Sequence, residues 1–479
     1  MTRTNDKKFY IIVGITVVIM FGFGYLPTFG QITPVGMKIL GIFLGCIFAW
    51  CFGELVWSSI LGLVALSLLH FGTMNANYAS AFANGTTAMM VSACVFCYAI
   101  QHCGLLKEIS NWIIGQRWAQ KSPWSLVFAF YLAAMVGGAM ATTVLPPLIL
   151  LWALFYEMAE KIGIKPYSKM AAIILLGIGV CGYVGVCVMP YSSMTVLVKG
   201  TAESFDPAFN FHVGYYMLLN LILAALFLVV LVLVLKLVVG KKAVDFEMPK
   251  AQKYKMHLDR KMKWCAFYLL ILVSSMLLPN LLPEGNLIKT LFGSTLGILG
   301  ILMLLSALMM VTRVAGEPVL DIVEGIKNVP WPLLLLMSTA LATSGYINSD
   351  EAGVIPTIVT LLDPLVAGKS ALVVTLMFVA FGLLMTNFIN DMVTCVVLFP
   401  IAAQFITNAG GSVMLFAILF AQVTIQGCFM PSGSFVGAMF HGNSAWMRSK
   451  DVFKFVALME IVLLVVMLIV TLIGGALGV

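Results

Sequence analysis

The feature that most constrains this chain is a series of apolar runs near 20 residues long, two of which are broken at matching places. A run of that length crosses a bilayer's hydrocarbon only as a helix, because lipid offers backbone N–H and C=O groups no partner. The first break reads Cys187-Val188-Met189-Pro190-Tyr191-Ser192-Ser193 and runs on to Lys199-Gly200. The second reads Cys428-Phe429-Met430-Pro431-Ser432-Gly433-Ser434 and runs on to His441-Gly442. Irregular backbone at membrane depth is tolerated only where it lines a protein-enclosed cavity. Two such interruptions, one in each half, point to the binding site of a carrier built from repeats.

Composition excludes the alternatives. The chain is 61% hydrophobic and 10% charged, against roughly half and about a quarter in soluble domains. With a mean hydropathy of +1.05, too few charges remain to cover a large soluble core. The net charge of +7 is concentrated in connecting segments, so it speaks of topology and not of nucleic acid. Lys7 and Lys8 precede an apolar run too long for a signal sequence, which reads as a retained first span. Cys94-x-x-Cys97 has no second pair or His nearby and reads as helix packing, not a metal site. No catalytic motif is present and the five His are dispersed, so the expectation is no enzyme and no cofactor beyond a coupling ion.

The expected fold is an all-α polytopic membrane protein of two inverted repeats. Spans are predicted at 9–27, 34–52, 55–72 and 87–106, then a re-entrant hairpin at 123–160, a broken helix at 168–200 and a long helix at 211–240. A basic linker, 241–263, closes the first repeat (1–240). The second (264–479) has spans at 264–282, 287–311 and 330–347, a hairpin at 370–407, a broken helix at 411–442 and a last helix at 452–477. This makes eleven crossings. Lys and Arg cluster in segments that fall on one side, which places the N-terminus in the cytoplasm, the linker inside and the C-terminus outside an inner (plasma) membrane. Residues 142–151 and 394–402 are both Thr-led apolar stretches with a Pro, each preceding a broken helix. Five crossings separate equivalent elements, and an odd number inverts them.

At these residues the chain resembles the divalent anion:sodium symporter family, within the wider ion transporter superfamily, over nearly its whole length in element order. Gly104-Leu105-Leu106-Lys107-Glu108-Ile109 is similar to that family's end of the fourth helix, and Val329-Pro330-Trp331 to the start of its second-repeat counterpart. Thr386-Asn387-Phe388-Ile389-Asn390-Asp391-Met392-Val393-Thr394 aligns without gaps to its second hairpin tip, with Pro400 at the tip motif's Pro. The resemblance implies a scaffold and a transport domain, elevator movement and a homodimer. It also exposes a departure: the family's Ser-Asn-Thr tips are replaced by Asn390-Asp391-Met392 and, counting back from Pro147, by Gly137-Gly138-Ala139.

Asp391, an ionisable group inside an apolar stretch, is the leading candidate for exchanging a proton or a sodium ion. Lys199 and His441 close the two broken segments at equivalent positions, where they either flank a midplane cavity or snorkel to an interface. Ser192, Ser193, Thr195, Ser432 and Ser434, with Pro190, Pro431 and Gly433, shape the breaks, whose half-helix N-termini favour an anion. Asn387 and Asn390 read as ligands or caps, and Thr394 lies one turn beyond. Thr142 and Thr143 are the polar side chains of the first tip. The expectation is a carrier of a small di- or tricarboxylate-like anion, coupled to protons or sodium or working by exchange. The alternative is a cation/proton antiporter or metalloid-oxyanion exporter on the same scaffold. Basic side chains on the cavity wall favour the first, and Asp391 as its sole charge favours the second.

Overall fold

A computed structural model describes residues 6–240, 254–283 and 285–476; residues 241–253 of the basic linker lie outside the described residues. Among the described residues the protein is helical save for a two-residue pairing of Arg313–Val314 with Glu317–Pro318. Seven helices there are long and apolar enough to cross a membrane, or up to ten if each of three bent pairs is one span. The protein is an all-α polytopic membrane protein.

Polar residues at the ends of the apolar runs set where helices begin. Thr33, Asn84, Ser122, Ser168, Ser192, Asp259, Asn390, Ser412 and Ser434 each accept a first-turn N–H with a side-chain oxygen, filling donors that lipid would leave unpaired. Two hairpins result, Pro123–Ala139 with Leu145–Ile162 and Ala371–Thr386 with Asp391–Asn408. Two broken helices follow them, Lys169–Val186 with Ser193–Phe205 and Val413–Thr424 with Phe435–Gly442.

Lys169–Val186 is the centre of the molecule, buried along almost its whole length. The first arm of the first hairpin packs along it backbone to backbone. A Cβ on Gly138 would lie 2.8 Å from the Val186 nitrogen, and one on Gly185 would strike the Met135 backbone. Tyr131 lies over Gly177 and donates to the Ile173 carbonyl at 2.8 Å, and Trp152 Nε1 donates to Leu175 at 3.0 Å. Small residues permit this closeness, and in lipid such contact replaces the missing hydrophobic drive between helices. A second group of helices packs beside these: Asp6–Gly22 on Pro34–Phe52, and Leu55–Leu68 on Trp331–Ile347. Val213–Val239 leaves Leu218, Leu221, Val229, Leu233 and Leu237 exposed, a face suited to lipid.

The structure departs from the sequence expectations in several segments, among them the connection between the spans at 55–72 and 87–106, which contains the helix Met74–Phe82. The span drawn at 287–311 turns by 95° between Leu287–Thr295 and Gly297–Val311, with Gly297 in the left-handed region. The connection drawn at 348–369 contains the helix Val354–Val366, which meets Ala371–Thr386 at 109°. Residues 105–114, drawn partly as the end of a span, form a separate amphipathic helix that starts at Gly104, whose φ is +86°. Its Leu105, Leu106, Ile113 and Ile114 face inward.

Candidate functional site

A cavity of about 640 Å³ lies where both hairpins, both broken helices and an opposite wall meet. The first hairpin contributes Thr142 and Thr143, the second Asp391 and Met392. The first broken helix contributes Tyr183, Ser193 and Met194, the second Ile425 and Phe435. Tyr98, Gln101 and His102 face them from Gly85–His102, and Asn328, Pro330 and Pro332 from the start of Trp331–Ile347.

The electrostatics of this wall come mainly from backbone. Leu145, Ser193, Asp391 and Phe435 are the first residues of four helices of the hairpins and breaks, and all four line the cavity, as does Leu55, the first residue of Leu55–Leu68. Each helix start carries about half a positive charge from its unpaired N–H groups. Asp391 is the sole Asp, Glu, Lys or Arg on the wall among the described residues, and His102 its one imidazole. The half-buried Asp391 carboxylate accepts its neighbour Met392 N–H at 2.8 Å. His102 Nδ1 lies 3.0 Å from the Tyr98 carbonyl, and the two ring centroids lie 4.1 Å apart with the planes tilted by 32°.

The other candidates fall into three groups. Several hold the frame. Ser192 Oγ shares a hydrogen with Thr195 Oγ1 at 2.7 Å, and Thr195 does the same with Tyr216 OH at 2.7 Å. Asn390 caps its helix through the N–H groups of Met392 and Val393. Ser434 accepts Gly437 N–H at 3.1 Å. The Ser193 N–H donates to the Thr142 carbonyl at 3.1 Å, which ties the first tip to the first break.

A second group surrounds the second tip without lining the cavity. Asn387 Oδ1 accepts Phe429 N–H at 2.8 Å, while its Nδ2 donates to Leu383 O at 2.9 Å and to the Glu460 carboxylate at 3.0 and 3.1 Å. Thr386 Oγ1 donates to the Thr424 carbonyl. A Cβ on Gly433 would meet the carbonyl oxygens of Thr386, Gly427 and Asn387 at 2.7, 2.8 and 3.1 Å. Thr394 Oγ1 is buried with no partner. Pro190 is buried, while Pro431 and Ser432 are exposed. No group of three or more His, Cys, Asp or Glu suited to a metal occurs among the described residues.

The third group lies elsewhere. Lys199 pairs with Glu203 at 2.7 Å and lines a different cleft, with His212 and Asn280. His441 Nε2 sits 3.0 Å from the Phe429 carbonyl and packs on Phe453. Neither side chain lines the cavity. The reason is helical rise: each is six residues beyond its helix start, roughly 9 Å along the axis. The first tip also needs correction. Gly137, Gly138 and Ala139 end the helix Pro123–Ala139, and the turn is 140–144.

Sequence reasoning passed over His102, Gln101 and Tyr98, which sit at the end of an ordinary apolar run and carry no local signal. It also passed over Glu460, buried in the helix Ser449–Ala476. The argument that singles out Asp391 applies to it equally.

A sequence profile described as "Citrate transporter" (CitMHS) matches residues 46–423. No curated protein matches the chain in sequence. Among solved structures, the YdaH transporter of Alcanivorax borkumensis superposes with a TM-score of 0.61 at 13% identity, over 87% of this chain and 90% of that one. MtrF of Neisseria gonorrhoeae, described with a class of antimetabolite efflux pumps, superposes with a TM-score of 0.51 at 12% identity, over 97% of this chain and 94% of that one. At these identities the likeness concerns the fold.

Proposed function

The chain belongs to the citrate transporter family and is a membrane transporter, not an enzyme; on that premise we propose that it carries a small di- or tricarboxylate by alternating access, coupled to a cation taken up at Asp391. The observation that carries this reading is the convergence of four helix starts of the hairpins and breaks on one cavity that also holds Asp391. Helix N-termini attract carboxylates, while the Asp391 carboxylate repels them. Substrate and Asp391 are therefore compatible only when a proton or a sodium ion neutralises Asp391, which makes the cation a requirement for binding. Thr142, Thr143 and Ser193 supply hydroxyl donors, and His102 faces them from the other wall.

An elevator movement fits the same geometry. The hairpins and broken helices pack on one another, and the cavity lies on their boundary with Gly85–His102 and Trp331–Ile347. In this reading 1–240 and 264–479 are inverted repeats and the first group slides as a body, as in the divalent anion:sodium symporter family. The assembly is a homodimer in the plasma membrane, with its N-terminus in the cytoplasm.

One observation favours a second reading. Lys199 and His441 are absent from the wall, and a cavity whose sole formal charge is a carboxylate also suits a cation/proton antiporter. Uptake of labelled citrate and succinate into proteoliposomes, with sodium, proton or no gradient, separates the two. Gradient-driven carboxylate uptake supports the symporter. Cation-for-proton exchange without carboxylate flux replaces it with the antiporter.

A further inference from the structure

The last helix, Ser449–Ala476, lies beyond the residues 46–423 that carry the family likeness. It nevertheless holds an acid against the moving part. Glu460 is 8% exposed, and among the described residues its carboxylate accepts hydrogen bonds from one atom, Asn387 Nδ2, at 3.0 and 3.1 Å. That amide cannot turn away: its Oδ1 is held by Phe429 N–H, and its remaining hydrogen goes to Leu383 O. The clamp therefore joins three elements, namely the second hairpin four residues before Asp391, the second break and the last helix.

No Lys, Arg or His lies in ion-pair distance of Glu460 among the described residues. The elements packed on its helix carry few titratable groups. Lys169, Cys181 and Tyr183 lie on Lys169–Val186, Tyr215, Tyr216 and Lys236 on Val213–Val239, and His441 on Phe435–Gly442. Ala371–Thr386 and Val413–Thr424 carry none. Cys428 and Asp391 flank the same tip. On its own helix Lys454 and Asp451 lie six and nine residues away, roughly 1.7 and 2.5 turns. One amide does not compensate a carboxylate removed from water, and an acid so placed within a span is a functional candidate by default.

We propose that Glu460 is a second cation-accepting group of the carrier, binding a proton, and that Asn387 transmits its charge state to the hairpin tip that holds Asp391. Ionised, the carboxylate grips Asn387 by a charge-assisted bond and keeps the tip docked on the break; protonated, it grips more weakly and the tip is free to move. The proposal rests on the carrier reading above, so two measurements are needed.

The test uses the full-length protein with Glu460→Gln, which retains volume and an acceptor for Asn387. In proteoliposomes, labelled-citrate uptake is measured against pH for wild type and E460Q. The pH profile of Vmax should flatten in E460Q, with KM and counterflow held within about twofold. Infrared spectra of the reconstituted proteins, taken across a pH titration without substrate, supply the second readout. A protonated-carboxyl C=O band that titrates in wild type and is missing in E460Q supports the proposal even if citrate is not carried. An unchanged pH profile and an unchanged infrared titration would overturn it and leave Glu460 a structural acceptor.

Discussion

Ser193 and Thr195 stand two residues apart on the same helix, yet the structure gives them opposite work. Ser193 lines the cavity, whereas Thr195 is tied to Ser192 and Tyr216 and is fully buried. Thr195→Val should lower the melting midpoint in detergent by an amount equivalent to about 1–2 kcal/mol while leaving KM for the carried anion unchanged. A raised KM at wild-type stability would return Thr195 to the site. Lys199 gives the converse case. Its partner Glu203 lies one turn away and both side chains are partly exposed, an arrangement worth at most about 1 kcal/mol. Lys199→Ala should transport at the wild-type rate within about a factor of two, and a loss of flux would contradict its placement in a separate cleft. Asn387→Ala removes a donor from Glu460 and an acceptor from Phe429 N–H at once. Its expected cost, roughly 3 kcal/mol for two buried groups left unpaired, is read from thermal unfolding of the purified protein.

At the scale of elements, glycine decides how closely the mobile pieces approach. Gly138 lets the first hairpin touch the backbone of Lys169–Val186, and Gly433 lets the second break touch the carbonyls of the second tip. Gly433→Ala should insert normally in the membrane and lose transport by tenfold or more, since its Cβ has backbone on three sides and no flexible neighbour to yield. Wild-type flux would mean that this close approach of break and tip is not needed for transport. This scale is also where the sequence was most and least legible. The hairpins and breaks could be bounded because Pro, Ser and Gly interrupt apolar runs at places where lipid forbids irregular backbone. The 95° turn at Gly297 and the helix Val354–Val366 could not, because an apolar run reads alike whether it continues straight or folds back. The first tip was misplaced for a related reason. Counting back from Pro147 assumes equal hairpin turns, but residues 140–144 make the first and 387–390 the second. Charged groups were legible as anomalies, not as positions. Asp391 faces the cavity, Lys199 and His441 lie a helical rise away from it, and Glu460 met the same criterion but was not singled out.

At the scale of the whole molecule, the account is one of two bodies meeting at a cavity. Hairpins and broken helices form one wall, Gly85–His102 and Trp331–Ile347 the other, and the cavity proposed to hold the substrate lies on their boundary. In the proposed mechanism the cavity draws an anion through four helix starts and opposes it through one carboxylate, so occupancy by an anion depends on a cation. The most direct measurement of that claim is labelled-citrate uptake into proteoliposomes by wild type and Asp391→Asn, under a proton gradient, a sodium gradient, neither, or an internal citrate load. The account predicts uptake driven by one of the gradients in wild type. In Asp391→Asn, whose amide is permanently neutral, it predicts loss of that drive with exchange against internal citrate retained. Wild-type exchange that ignores both gradients, with Asp391→Asn unchanged, would contradict it and make the protein an exchanger in which Asp391 only starts a helix.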